Sequence, residues 1–216
     1  MTRLVVFDLD GTITRGDSLL PYVLGFLGRR PWELVRVLGA VPAFGRFLLG
    51  RADRGQLKSA FMRTTLGGRT RAELASWTEH FVARWLARRT YPGALRAIAR
   101  HRDQGDQLVL LSASPDLYVS AIAARLGFSE SISTGVRWEA DRFDGRLTTP
   151  NRRGPEKTAC VAALRQRFPA ARTAAYANAH SDLDHLRAVD EPLLVNGSRR
   201  ARRAAAELHI PLARWD

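Results

Sequence analysis

Four short runs, Leu4–Leu9, Leu108–Ser112, Thr173–Ala177 and Pro192–Val195, carry strand-type sequence, and three of them are almost wholly apolar. A strand with one face in water alternates apolar and polar side chains. A run that does not alternate is buried on both faces, as in a parallel sheet covered by helices. The covering helices are legible between the runs, because Ala94–His101, Leu117–Leu126 and Thr158–Phe168 repeat their apolar residues at helical spacing. The predicted architecture is therefore α/β, a parallel sheet flanked by helices and joined by right-handed crossovers. In such sheets ligands collect at the carboxyl ends of the strands.

Two stretches break the alternation. From about Asp17 to Thr90 there is no convincing strand, only helical pieces punctuated by Pro21, Gly28, Pro31, Pro42, Gly50 and Gly67-Gly68, which predicts a helical insertion after the first strand. Ser131–Thr149 alternates apolar positions around Asp144-Gly145 and predicts a β-hairpin or ribbon. The chain of 216 residues thus divides into an α/β core, residues 1–16 and 91–216, and a helical cap, residues 17–90. With 45% of the chain apolar, a sizeable core is available and disorder is excluded.

Charge and cysteine content bound the setting. Thirty-four Lys and Arg against twenty-one Asp and Glu leave a net charge of +13, yet only Lys58 and Lys157 are lysines. Such an arginine-rich surface reads first as solubility and weak attraction for anions. The longest uncharged apolar runs, 19–28 and 37–45, fall well short of the roughly 18 residues of a membrane-spanning helix. The first residues lack the pattern of an export signal, and the lone Cys160 sits on a helical pattern beside Val161 and Leu164 as a small buried hydrophobe. A reducing cytoplasm is the expected location.

The chemistry concentrates in Phe7-Asp8-Leu9-Asp10-Gly11-Thr12-Ile13-Thr14, directly after the first strand. Two acids at i and i+2, leaving a buried strand into a glycine turn, stand at the ligand-binding edge of the sheet. A calcium loop also opens with Asp-x-Asp-Gly but continues with further oxygen ligands and a closing Glu, which are absent here. Three later segments complete a set: Leu110-Leu111-Ser112-Ala113-Ser114 at a strand end, Gly154-Pro155-Glu156-Lys157 at a helix start, and Tyr176-Ala177-Asn178-Ala179-His180-Ser181-Asp182 after another strand.

In this order the four segments resemble motifs I to IV of the haloacid-dehalogenase-like hydrolases, and the early helical cap resembles the phosphoserine-phosphatase-like branch, subfamily IB. The resemblance spans nearly the whole chain and implies a Rossmann-like core, a phosphoric monoester hydrolase and a Mg²⁺ cofactor. It implies Asp8 as a nucleophile forming an aspartyl-phosphate, and Asp10 as the acid that protonates the leaving oxygen and then activates water. Ser112 and Lys157 would bind the phosphoryl group, while Thr12 either joins them or braces the turn. Asp8, Asp10 through its carbonyl, Asn178 and Asp182 would hold the metal.

The roles are chemically coherent without the resemblance. A phosphate monoester repels an attacking anion, so hydrolysis needs a nucleophile, a proton donor and cations around the transferring group. One departure stands out. Motif IV usually carries a metal-binding Asp where this chain has Asn178, so a phosphatase-like protein with weakened or lost turnover is an alternative. The expected substrate is the phosphate monoester of a small metabolite, or alternatively a lipid phosphate at the membrane surface.

Other chemistries fit less well. Ser112 and Ser114 lack a Gly-x-Ser-x-Gly elbow. The spacing of His180, Asp182, Asp184 and His185 does not place three zinc ligands on one helical face. Arg199, Arg200, Arg202 and Arg203 lack interleaved aromatics, so they read as a solvated helix face and no nucleic-acid partner is expected. No obligate protein partner is evident. Trp32–Leu49 is apolar around much of its circumference, and packing against the cap is the expectation, with peripheral membrane contact as the lesser alternative.

Overall fold

The computed structural model describes residues 3–216, so residues 1 and 2 of the expected core segment lie outside the described residues. Six strands form one parallel sheet. In chain order the strands are β1 (Leu4–Phe7), β2 (Gln107–Pro115), β3 (Glu130–Thr134), β4 (Val136–Glu139), β5 (Arg142–Leu147), β6 (Thr173–Ala177), β7 (Glu191–Val195) and β8 (Leu212–Ala213). The main sheet runs β3-β2-β1-β6-β7-β8, while β4 and β5 pair antiparallel as a separate ribbon. β1 lies between β2 and β6, with Phe7 opposite Leu110 on one side and Tyr176 on the other.

Period-2 alternation along β1 divides the core. Val5 and Phe7 point to one face of the sheet, and Leu4 and Val6 to the other. Between β1 and β2 come α1 (Leu19–Leu27), a 3₁₀ helix (Pro31–Ala40), α2 (Val41–Leu48), α3 (Arg54–Leu66), α4 (Arg71–Arg89) and α5 (Pro92–Asp103). After β2 follow α6 (Asp116–Leu126), α7 (Pro155–Arg167), α8 (Leu183–Arg187) and α9 (Arg199–Glu207). Both long cap helices start with capping boxes, Asp53 with Gln56 on α3 and Thr70 with Glu73 on α4, which satisfy backbone N–H groups that would otherwise lack partners.

The insertion is fused to the sheet through aromatic packing. Tyr22 stacks on Tyr118 and meets Phe81 edge to face, and all three are buried in the cluster that contains Val5 and Phe7. The two crossings between insertion and core run side by side: Arg15 N–H donates to Arg89 O at 2.7 Å and Tyr91 N–H to Ile13 O at 2.9 Å.

Three expectations need correction. Ser131–Thr134 belongs to β3 at the edge of the main sheet, and the hairpin is confined to Val136–Leu147. Its turn lies at Ala140-Asp141, where Ala140 has φ 50°, and Asp144-Gly145 sits inside β5. There Gly145 serves close approach, since a Cβ would stand 3.0 Å from the Arg63 backbone of α3. The third correction concerns Trp32–Leu49, whose apolar residues largely do not pack against the cap: Trp32, Val35, Leu38, Leu48 and Leu49 are all more than half exposed. The reason is helical period. A 3₁₀ helix repeats every three residues, so its apolar residues fall on separate faces and only one of these can turn inward.

Two substitutions measure that difference. Phe81→Ala removes a buried ring from the shared core and is expected to cost about 3–5 kcal/mol. Leu48→Ala, on the exposed face, is expected to stay within about 0.5 kcal/mol of wild type. Urea unfolding of both variants is the measurement, and comparable losses would contradict the exposed placement of α2.

Candidate active site

Because β1, β2 and β6 are neighbours, the chain leaving each of them delivers its next residues to one place on the sheet edge. Asp8 follows β1 and is buried. Its Oδ2 accepts a hydrogen bond from Thr12 Oγ1 at 2.8 Å, and its Oδ1 accepts one from Lys157 Nζ at 2.6 Å. The same ammonium lies 3.2 Å from Asp182 Oδ1. Burial pushes the Asp8 carboxyl up and Lys157 opposes it, while Asp182 adds to the rise. Burial also works against charge on Lys157, but Asp8 and Asp182 outweigh it and hold the ammonium above its ordinary range.

Asn178 follows β6 and meets the β1 turn at Gly11. Gly11 has φ 84°, and a Cβ there would stand 2.0 Å from Asn178 Nδ2, so both backbone conformation and space require glycine. Thr12 Oγ1 lies 3.4 Å from Asn178 Oδ1. Asp10 is held from two elements: Oδ1 accepts from the Ser18 N–H at 2.9 Å and Oδ2 from Ser114 Oγ at 2.5 Å. Burial, with the Asp17 charge adding, pushes the Asp10 carboxyl up to about 7, where it can carry a proton at neutral pH.

Asp8, Asp10, Lys157, Asn178 and Asp182 line one cavity of about 590 Å³. Thr12 and Ser112 are buried and do not line it. Thr12 touches Asp8 from behind, and Ser112 Oγ accepts the Ser114 N–H at 3.0 Å. The structure therefore brings all seven expected residues to one strand edge, five at the surface of the cavity and two supporting it. Asp182 spends its carboxylate on Lys157 and makes no helix-capping hydrogen bond.

Three contributors escaped the sequence reading. Ser114 lies two residues after Ser112, where the register of β2 against β3 shifts, so strand periodicity gave no signal that its hydroxyl reaches Asp10. Ser18 acts through its backbone N–H, which no side-chain pattern reveals. Lys58 reaches in from α3, donating to Ala113 O and Asn151 Oδ1, both at 2.5 Å. Burial lowers its ammonium to about 8. Its rarity in an arginine-rich chain was the available clue.

The donors available to a metal ion are the Asp8 and Asp182 carboxylates, the Asn178 amide oxygen and the Asp10 carbonyl, an all-oxygen set suited to a hard divalent cation. Among the described residues no three His, Cys, Asp or Glu side chains group to hold a metal.

The family model for haloacid dehalogenase-like hydrolases matches residues 5–187. The chain belongs to that family. Among its relatives, this hydrolase is 36% identical to protein CicA of Caulobacter vibrioides over 191 residues, covering 87% of this chain and 83% of CicA. It is 27% identical to phosphoserine phosphatase SerB1 of Mycobacterium tuberculosis over 212 residues, 96% of this chain and 69% of SerB1. In fold, this haloacid dehalogenase-like chain matches a protein of unknown function from Bordetella pertussis with a TM-score of 0.83 at 24% identity, covering 99% of each chain.

A buried histidine next to the site makes a pH prediction. His185 on α8 is buried with Nδ1 unpartnered, and burial, with the Lys157 charge adding, lowers its pKa from 6.5 to about 3. Below pH 6.5 the unfolded chain accepts a proton that the folded protein refuses, so stability falls as pH drops toward 3, by about 1.4 kcal/mol per pH unit from this group. His185→Gln removes that dependence. Urea unfolding at pH 7 and pH 5 should show the wild type losing about 2 kcal/mol more than the variant over this interval. Equal losses would place the acid sensitivity elsewhere.

Proposed function

We propose that the protein is a Mg²⁺-dependent phosphatase that hydrolyses a phosphate monoester through an aspartyl-phosphate at Asp8. As a phosphoric monoester hydrolase it is similar to phosphoserine phosphatase SerB1, and its family membership supports the reaction class. The observation that carries the mechanism is the convergence of Asp8, Asp10, Lys157, Asn178 and Asp182 on one cavity at the strand edge.

In this reading Asp8 attacks phosphorus and displaces the leaving oxygen, which takes the proton of Asp10. Asp10, now a carboxylate, accepts a proton from water as that water attacks the phosphoryl group, releasing inorganic phosphate and restoring Asp8. The Ser18 and Ser114 hydrogen bonds keep Asp10 aimed throughout. Thr12 orients the nucleophile by holding one of its oxygens, and Lys157 sets a compact positive charge beside the transferring group. Ser112 acts from behind the cavity wall, its oxygen accepting the Ser114 N–H and so fixing the residue that holds Asp10. Asp8, Asp182, Asn178 and the Asp10 carbonyl would hold Mg²⁺, which would supply the charge that screens a carboxylate approaching a phosphate. Residues 17–90 form the cap over the cavity and choose the leaving group. Binding contacts far from the bond that breaks supply selectivity of this kind.

Asp8→Asn tests the nucleophile. An amide cannot attack, so phosphate release with Mg²⁺ present is expected to fall by at least about a thousandfold while the circular dichroism spectrum is unchanged. Wild-type turnover in the variant would rule out the covalent route.

Asn178→Asp tests the metal shell. Even changes outside the ligands themselves cost roughly 10–100-fold in metal affinity or activity, so restoring a carboxylate here should tighten Mg²⁺ binding by about that range. Titration calorimetry reads this independently of turnover. An unchanged affinity would place Asn178 outside the shell.

A further inference from the structure

The segment between α1 and α3 presents an apolar surface that nothing in the fold covers. Its 3₁₀ helix, Pro31–Ala40, repeats every three residues and so has three distinct faces. One face turns to the rest of the cap: Glu33 pairs with Arg69, Arg36 donates to Thr65 O, and at Gly39 a Cβ would stand 3.2 Å from the Thr64 side chain. A second face, Val37 and Ala40, lines the catalytic cavity. The third, Trp32, Val35 and Leu38, is more than half exposed at every position. The stripe runs on along α2 through Val41, Phe44 and Leu48 at i, i+3 and i+7 spacing, again more than half exposed.

Monomeric soluble proteins rarely expose contiguous apolar surface on this scale without a partner for it. Two observations identify the partner's chemistry. First, the surface is continuous with the site: Leu20, Val41 and Phe44 are at least half exposed and also line the cavity that ends at Asp8. Phe47 and Phe61 add to that apolar lining, and Arg54, Lys58 and Arg153 line the same cavity together with Asp8, Asp10 and Asp182. The lining thus joins exposed apolar side chains to cationic and acidic ones, which fits a phosphate attached to a hydrocarbon. Second, residues 19–54 carry six arginines against two acids, and both acids are engaged, Glu33 by Arg69 and Asp53 as the N-cap of α3. Arg29, Arg30, Arg46 and Arg51 are exposed around the apolar stripe. Apolar side chains ringed by arginine match a bilayer with anionic headgroups. No helix among the described residues is long and apolar enough to cross a membrane, so the contact is peripheral.

We propose that the Trp32–Leu48 face of the cap seats on an anionic lipid bilayer and opens the catalytic cavity to a phosphate monoester carried by an amphiphile in that bilayer. The substrate half of this proposal rests on the phosphatase reading above, while the docking half does not.

The test uses the full chain and the variant Leu38→Gln/Leu48→Gln, which leaves every charge in place and alters no residue that lines the cavity. Binding is read by co-sedimentation with phosphatidylcholine vesicles with and without phosphatidylglycerol. Turnover is read on p-nitrophenyl phosphate in solution and on diacyl phosphatidate in the vesicles. The wild type should bind only the phosphatidylglycerol vesicles, more weakly at high salt, and hydrolyse both substrates. The variant should partition about a hundredfold less and lose phosphatidate hydrolysis in proportion, with p-nitrophenyl phosphate turnover unchanged. Wild-type turnover in solution without vesicle binding overturns the docking, as does a variant that binds like wild type. Binding without phosphatidate hydrolysis, while p-nitrophenyl phosphate is turned over, overturns the substrate class. A dimer by light scattering that the variant dissolves also overturns the proposal, because a second copy then covers the face. Absence of turnover on both substrates instead defeats the phosphatase reading and leaves the binding result to decide the docking.

Discussion

Two buried carboxylates, Asp8 and Asp182, share one small volume at the sheet edge because the Lys157 ammonium stands between them. Two acids so close and so far from water repel each other, and the ammonium between them offsets that repulsion. The geometry of the fold follows from this requirement. Lys157 lies in the first turn of α7, Asp8 follows β1 and Asp182 follows β6, so the ion cluster ties the crossover helix to the exits of two adjacent strands. A site with charges this deeply placed is already organised for a charged reactant, and little rearrangement is left for the moment of reaction.

Close approach sets the second constraint. Gly11 lets the β1 turn pass directly against Asn178, which fixes the turn holding Asp10 relative to the loop after β6. Asp10 is in turn gripped by Ser114 at the end of β2 and by Ser18 at the start of the insertion. In the mechanism proposed above, proton transfer and leaving-group selection would thereby be mechanically linked, since Asp10 is anchored to the inserted segment through Ser18.

The parallel sheet was legible because its central strands are apolar on both faces, and β6 was bounded to the residue, Thr173–Ala177. The Asp8-x-Asp10 turn was legible because a buried strand leaves few polar residues at its end, whereas Lys157 and Asn178 were singled out through the resemblance of their segments to the family's motifs. What escaped lacked a local signature. The two-residue β8 is too short for a pattern, Ser18 contributes only its backbone, and Lys58 acts across a distance in sequence that periodicity does not span. The Trp32–Leu49 stretch misled for a different reason: apolar content says that a surface avoids water, not which partner relieves it. Reading the stretch at α-helical period also hid the three faces that a repeat of three creates.

The paired crossings at Arg15–Arg89 and Ile13–Tyr91 have a consequence for how such chains diversify. The two ends of the insertion are held a hydrogen bond apart by the core itself, so the entropy of closing whatever lies between them grows only slowly with its length. Everything from residue 17 to residue 90 is, to the sheet, a loop whose ends are already tied. Its exposed pieces, such as α2, can lengthen, shorten or be replaced with small thermodynamic effect on the strands beneath, so long as the Tyr22 and Phe81 packing and the Ser18 hold on Asp10 are kept.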